Sequence, residues 1–107
     1  MRNINRIIVE GNATRDAEIK QTNTGKVLAE FAIAVNRDDQ VSYFDVNAWE
    51  KLGEICQSMI KKGTHVIIDG RLVQSRWESE GKTKSHVSIV ADNVRILSKK
   101  QTPGEDY

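Results

Sequence analysis

From Val27 the sequence alternates with a period of two. Val27, Ala29, Phe31, Ile33 and Val35 fall on one side of an extended chain, with Glu30 and Asn36 on the other. A strand with one buried face requires this pattern. After a polar connection, Asn36 to Gln40, the stretch Val41 to Trp49 repeats it. Phe44, Val46 and Ala48 share an apolar face, and Tyr43, Asp45, Asn47 and Trp49 share the opposite one. Val and Ile together number 21 against 4 Leu. Branching at Cβ stiffens χ1 and suits a pleated surface, so the chain is expected to be mostly β.

The remaining segments complete a short order of elements. Residues 4–9 are β-rich and end at Glu10-Gly11-Asn12, where a glycine in a strand pattern predicts a bulge or sharp bend. Residues 15–22 are polar and extended, and Asn23-Thr24-Gly25-Lys26 is a tight turn. Leu52, Ile55, Cys56, Met59 and Ile60 form one apolar stripe at helical spacing. Lys61 and Lys62 are placed in the last turn of that helix, with Gly63 as its left-handed stop. Thr64 to Trp77 and Lys84 to Leu97 are two further strands, joined by a turn containing Glu80-Gly81-Lys82. The expected fold is therefore all-β: a five-stranded OB-fold Greek-key barrel with one helix between strands 3 and 4. That architecture binds oligonucleotides and oligosaccharides. Residues 1–97 make the domain, and residues 98–107 are expected to be a short disordered stub, since Pro103-Gly104 starts neither helix nor strand well.

Several classes of function find no support. The 107 residues suit one domain, with an expected radius of gyration of about 13 Å. The longest apolar run is the five residues Phe31 to Val35, against the roughly 20 needed to span a bilayer. No charged segment followed by an apolar one opens the chain, so no cleaved export signal is expected. Cys56 stands alone and lies on the helical stripe, which suits a reducing cytosol and a core position. His65 and His86 each begin a strand and have no carboxylate or Cys at ligand spacing, so no metal site is expected. The seven glycines are scattered singly and make no phosphate loop, and no carboxylate pair is marked for acid–base work. Neither a catalytic residue nor a cofactor is expected. A net charge of +1 excludes a uniformly basic coat, so any nucleic-acid role depends on local charge placement.

Four of the six aromatic residues are Tyr43, Phe44, Trp49 and Trp77. Parity sends Phe44 inward and leaves Tyr43 and Trp49 outside. In the fourth strand Arg71, Val73, Ser75 and Trp77 share a face, with Arg76 adjacent and Lys82 and Lys84 in the turn beyond. Parity alone leaves two uses open for the outer rings: caps or subunit contacts, or platforms for bases. Every base has a π-face, so exposed rings bind single strands with little regard to sequence. In single-strand binders as a class each such stack is worth about 1–3 kcal/mol. Nearby cations neutralise phosphates.

The sequence resembles the bacterial single-stranded DNA-binding protein family from about Ile4 to Leu97. The likeness is carried by residues 5–12 (NRIIVEGN), 15–18 (RDAE), 24–26 (TGK), 49–52 (WEKL), 62–66 (KGTHV), 69–72 (DGRL), 75–77 (SRW) and 92–94 (DNV). It implies sequence-nonspecific binding of single-stranded DNA in replication, recombination and repair, in the cytoplasm at the nucleoid. It implies base stacking on Tyr43, Trp49 and Trp77, and phosphate contacts from Arg6, Lys51, Lys62 and Arg76. Arg71 joins that set by its place beside Trp77. The resemblance also implies a homo-oligomer, commonly a tetramer. Ala17 stands where the family usually has Pro, and Val73 and Ser75 where a basic residue is frequent. Arg37-Asp38-Asp39-Gln40 lacks a ring often found there, and Asp45 occupies a position that can be basic. The long linker and acidic tip that recruit repair and replication enzymes have only Glu105-Asp106-Tyr107 as a faint counterpart, so tail-mediated partners are not expected. Two competing readings are a dimeric primosomal protein of the replication protein N type and an OB module that binds only protein.

Overall fold

The computed structural model describes residues 1–98. Seven elements follow one another: β1 (Ile7–Ala13), β2 (Glu18–Gln21), β3 (Val27–Arg37), β4 (Gln40–Trp49), α1 (Glu50–Met59), β5 (His65–Ser79) and β6 (Lys82–Ser98). The sheet runs β1-β5-β6-β4-β3-β2, and pairing of β1 with β3 closes it into a barrel. This is the OB-fold, with its helix entering between the third and fourth barrel strands. The extended stretch 15–22 proves to contain β2, a short strand laid along β3 from Glu18↔Glu30 to Gln21↔Val27. Together β1 and β2 supply one interrupted barrel strand, which explains six segments where five strands were expected. Ser98, assigned to the tail from sequence, is the last residue of β6 and pairs with His65. The rest of that tail lies outside the described residues.

Gly11 marks the place where β1 changes partner, from β5 (Ile7 to Asn12) to β3 (Asn12 and Ala13). A Cβ here would stand 2.6 Å from the Ala34 carbonyl oxygen, so only glycine allows the two backbones this close. The predicted bend is a close approach. The links between strands are tight. Asp38-Asp39 connects β3 to β4 with Asp38 at φ +53, a left-handed position that aspartate tolerates. Glu80 and Gly81 connect β5 to β6 with φ of +53 and +77, the signs of a type I′ hairpin turn.

The barrel interior follows the alternation that opened the sequence. Ala29, Phe31 and Ile33 of β3 face Val46 and Ala48 of β4, Val66 and Ile68 of β5, and Ile89 and Ala91 of β6. Phe44 is half-buried and packs against this core, as its parity predicts. Cys56 and Ile60 plug one end. The helix departs from its predicted stripe in two ways. Ile55 and Met59 are exposed, and the buried line runs through Gly53 and Cys56 beside half-buried Leu52. The helix also ends at Met59, with Ile60 already extended, so Lys61 and Lys62 are not in its last turn. They belong to the turn Lys61–Thr64, closed by the Thr64 amide on the Lys61 carbonyl at 2.9 Å, and Gly63 at φ +91 serves that turn.

Burial pushes the Cys56 thiol up to about 11, because the thiolate would lose its water. At pH 8 the folded protein is therefore expected to resist iodoacetamide, whereas denatured protein reacts readily. Native alkylation at the denatured rate would contradict this packing.

The hairpin of β5 and β6 gives the molecule its length. From Arg71 to Glu78 and from Lys82 to Val87 every residue on both faces is exposed, so the hairpin stands clear of the barrel. The extents of 52 × 37 × 34 Å and the radius of gyration of 15.3 Å, above the compact value for this length, reflect that arm.

Candidate nucleic-acid interface

The strand register assembles one outer face from four strands. Trp49 pairs with Leu28, Asn47 with Glu30, Asp45 with Ala32 and Tyr43 with Ala34. Helix α1 then lets the chain cross over, so that β6 lies parallel to β4 with Asn47 beside Val90. On the far side of β6, Arg71 pairs with Val90, Val73 with Ser88, Ser75 with His86 and Trp77 with Lys84. The two sequence-predicted faces therefore become one surface. Tyr43 is 67% exposed and Trp77 46%, while Trp49 is half-buried beside Lys26 and Glu50. Counted from the row Asn47–Val90–Arg71, Trp49 lies two residues one way and Trp77 six the other. At a rise of about 3.3 Å per residue they are separated by about 26 Å along the strands, enough for several nucleotides.

The predicted cations divide by their partners. Arg6, just before β1, is held by Asp69 through Nε at 3.2 Å and Nη2 at 2.8 Å. That bidentate contact raises the guanidinium, to which Asp92 adds a smaller push, and it lowers the Asp69 carboxyl. The pair's contribution to stability is present above the ordinary carboxylate range and is lost as pH falls through the lowered value. Arg71 is paired with Asp92 at 2.8 Å. Arg76 makes its one side-chain hydrogen bond among the described residues to Gln74, at 3.2 Å. It pairs with Ser85, so it stands on the face of the hairpin opposite Trp77. Lys51 is exposed on α1, two residues past Trp49. Lys62 is exposed in the turn after the helix, its amide donating to Asp16 at 2.8 Å.

Sequence reading missed four contributors to this face. Lys26 reaches the Trp49 recess because the Thr22–Lys26 turn folds back, with the Thr22 amide donating to the Lys26 carbonyl at 2.9 Å. Lys84, read from sequence as the start of the last strand beyond Trp77 and left out of the contact set, lies directly across from Trp77. Lys20 is bound to Glu30 at 2.6 Å, which raises its ammonium. His86 lies within β6, not at its start, and contacts Asp45 at 2.8 Å. His65 does begin β5 and meets Glu10 at 2.7 Å. Both imidazoles have a carboxylate from another strand, a pairing that sequence spacing could not reveal. Among the described residues no group of three His, Cys, Asp or Glu side chains is placed to hold a metal.

An exposed sheet with three separated rings and cations among them is the form of a single-strand platform. Residues 4–97 match the model of the single-strand binding protein family. The chain belongs to that family. It is 41% identical over 105 residues to a single-stranded DNA-binding protein of Treponema pallidum, covering 91% of this chain and 60% of that protein. It is 35% identical over 118 residues to one from Wolinella succinogenes, covering 96% and 73%. A protein of Chlorobaculum tepidum named single-stranded DNA-binding protein 2 is 35% identical over 117 residues, covering 99% and 79%. The chain thus spans under two thirds of the Treponema relative's length. Among the described residues no helix is long and apolar enough to cross a membrane.

Proposed function

We propose that this chain binds single-stranded DNA without sequence preference and without catalysis, protecting it during replication, recombination and repair. Bases stack on Tyr43, Trp49 and Trp77, and phosphates are met by Arg6, Lys51, Lys62, Arg71 and Arg76. Residues 1–97 are the DNA-binding domain, acting in the cytoplasm at the nucleoid. The observation that carries the reading is the merging of the three rings onto one exposed face by the parallel β4–β6 pairing. The names of the relatives agree with it.

We also propose a homotetramer. Ile8 is 61% exposed on β1, and among the described residues that strand pairs from Ile7 to Gly11 on one side only, with β5. An apolar strand with a free edge is a surface that a second copy can cover. Sedimentation of the full chain alone and with a long oligo-dT tests both proposals. A tetramer that binds oligo-dT is expected. A dimer that binds weakly would favour the primosomal reading.

Phosphate contacts are separable by salt. Arg76→Ala is expected to reduce the slope of log affinity against log salt by about 0.7, the value for one phosphate on a single strand. Arg71→Ala is expected to change it less, because Asp92 already neutralises Arg71. An unchanged slope in Arg76→Ala would remove Arg76 from the contact set.

A further inference from the structure

A cleft of about 400 Å3 opens on the ring-bearing face, between β2 and β3 on one side and the root of the β5–β6 hairpin on the other. An ion pair, Lys20 with Glu30 at 2.6 Å, and an imidazole–carboxylate contact, His86 with Asp45 at 2.8 Å, line it. The second pair bridges β4 and β6, the seam where the two halves of the ring face join. Asp45 is two residues from Tyr43 on the same face of β4. His86 pairs with Ser75, two residues from Trp77 on the same face of β5. A strand stacked on both rings must cross this imidazole.

We propose that His86 is a phosphate ligand of the bound strand and Asp45 its positioning residue, so that binding single-stranded DNA takes up a proton at His86. This rests on the single-strand reading above and adds to it a contact and a linkage. The chemistry follows from the ring's two nitrogens. An ionised carboxylate only accepts, so the approach of Asp45 Oδ2 to 2.8 Å favours the ring form that carries its hydrogen on Nε2. In the neutral ring Nδ1 is then an acceptor and repels a phosphate oxygen. In the imidazolium Nδ1 also donates, and the contact becomes charge-assisted.

The charges facing the ring set its balance in the free protein. Asp45 on β4 and Glu30 on β3 favour the cation. Lys20 on β2, Arg15 in the loop before it and Lys84 on β6 itself oppose it. These groups are present with and without DNA. A bound phosphate adds negative charge, so the complex holds more protons than the free protein. Affinity therefore rises as pH falls through the range in which imidazole changes charge, between pH 5 and 8. The chain's other histidine, His65, lies in a separate recess with Glu10, Asn12 and Asn36 and serves as an internal control.

The test is fluorescence titration of the full chain with oligo-dT at pH 6 and pH 8, each over a salt series. Affinity is expected to be about three- to tenfold higher at pH 6, within the limit of tenfold per pH unit that one proton sets. The salt slope should steepen by up to about 0.7, one additional phosphate. Calorimetry at pH 7 in two buffers of different ionisation enthalpy should show uptake of a fraction of one proton. His86→Gln should lose the pH dependence and the proton uptake, and His65→Gln should keep both. Should His86→Gln fail to fold, the wild-type slopes and calorimetry decide alone. Equal slopes at the two pH values with no proton uptake would overturn the proposal, as would a pH dependence that survives His86→Gln. Absence of oligo-dT binding at every pH would instead overturn the single-strand reading on which it rests.

Discussion

Phe31→Ala is expected to lower the unfolding free energy by about 3–5 kcal/mol, the range for deleting a buried ring. Phe31 is fully buried, pairs with Val46 and has Ala29 and Ala48 among its core neighbours. Small residues beside it cannot grow into the space, and close-packed strands cannot collapse far, so a cavity remains. Urea unfolding of variant and wild type at one protomer concentration measures the loss, since oligomerisation would otherwise shift the midpoint. A loss below about 1 kcal/mol would mean that this face of β3 does not form the barrel centre.

Trp77→Ala is expected to weaken oligo-dT binding by about 1–3 kcal/mol while leaving the salt slope and the melting temperature nearly unchanged. Stacking is a neutral contact, so its loss removes affinity without releasing fewer counterions. Melting should be unaffected because Trp77 sits on a hairpin exposed on both faces. Trp49→Ala should lose a similar amount of binding but also some stability, since its ring is half-buried. Wild-type affinity in Trp77→Ala would take this ring out of the interface.

How far the sequence discloses this site depends on the range of each interaction. Period-two alternation is a property of one strand, and it correctly sorted Phe44, Val46 and Ala48 inward from Tyr43, Asp45 and Asn47 outward. It also separated Trp77 from its neighbours, whereas Arg76 entered the phosphate set through the family resemblance. The same alternation, applied strictly, sends Arg76 to the other face of the hairpin. Contacts between strands far apart in sequence follow a different logic. Asp45 and His86 meet only because α1 carries the chain across and aligns β6 parallel to β4, a register that neither segment encodes by itself. Arg6, just before β1, with Asp69 on β5, and Arg71 with Asp92, across the β5–β6 hairpin, are likewise contacts across the sheet, and they convert two expected phosphate ligands into partly neutralised ones.

The helix shows the limit of a stripe. Ile55 and Met59 have the right spacing, but burial depends on which edge of the stripe meets the barrel. Gly53 lets the helix lie close, because a Cβ there would press on the backbone of Ala48 and Ala29. The contact is centred on Gly53 and Cys56, with Ile55 and Met59 left outside. β2 was seen only as an extended polar stretch, since its four residues are all exposed and carry no alternation to read.

The proposed single-strand interface is the face carrying Tyr43, Trp49 and Trp77. The chain has two tryptophans, and both lie on that face, so their emission reports on it without any label. The direct measurement is titration of the full chain with oligo-dT, followed by tryptophan fluorescence, against duplex DNA of the same length. Saturable quenching by oligo-dT, reversed by high salt and largely absent with duplex, is the predicted result. Unchanged emission at saturating oligo-dT, with complex formation verified by sedimentation, would place the DNA elsewhere and return the three rings to a protein interface.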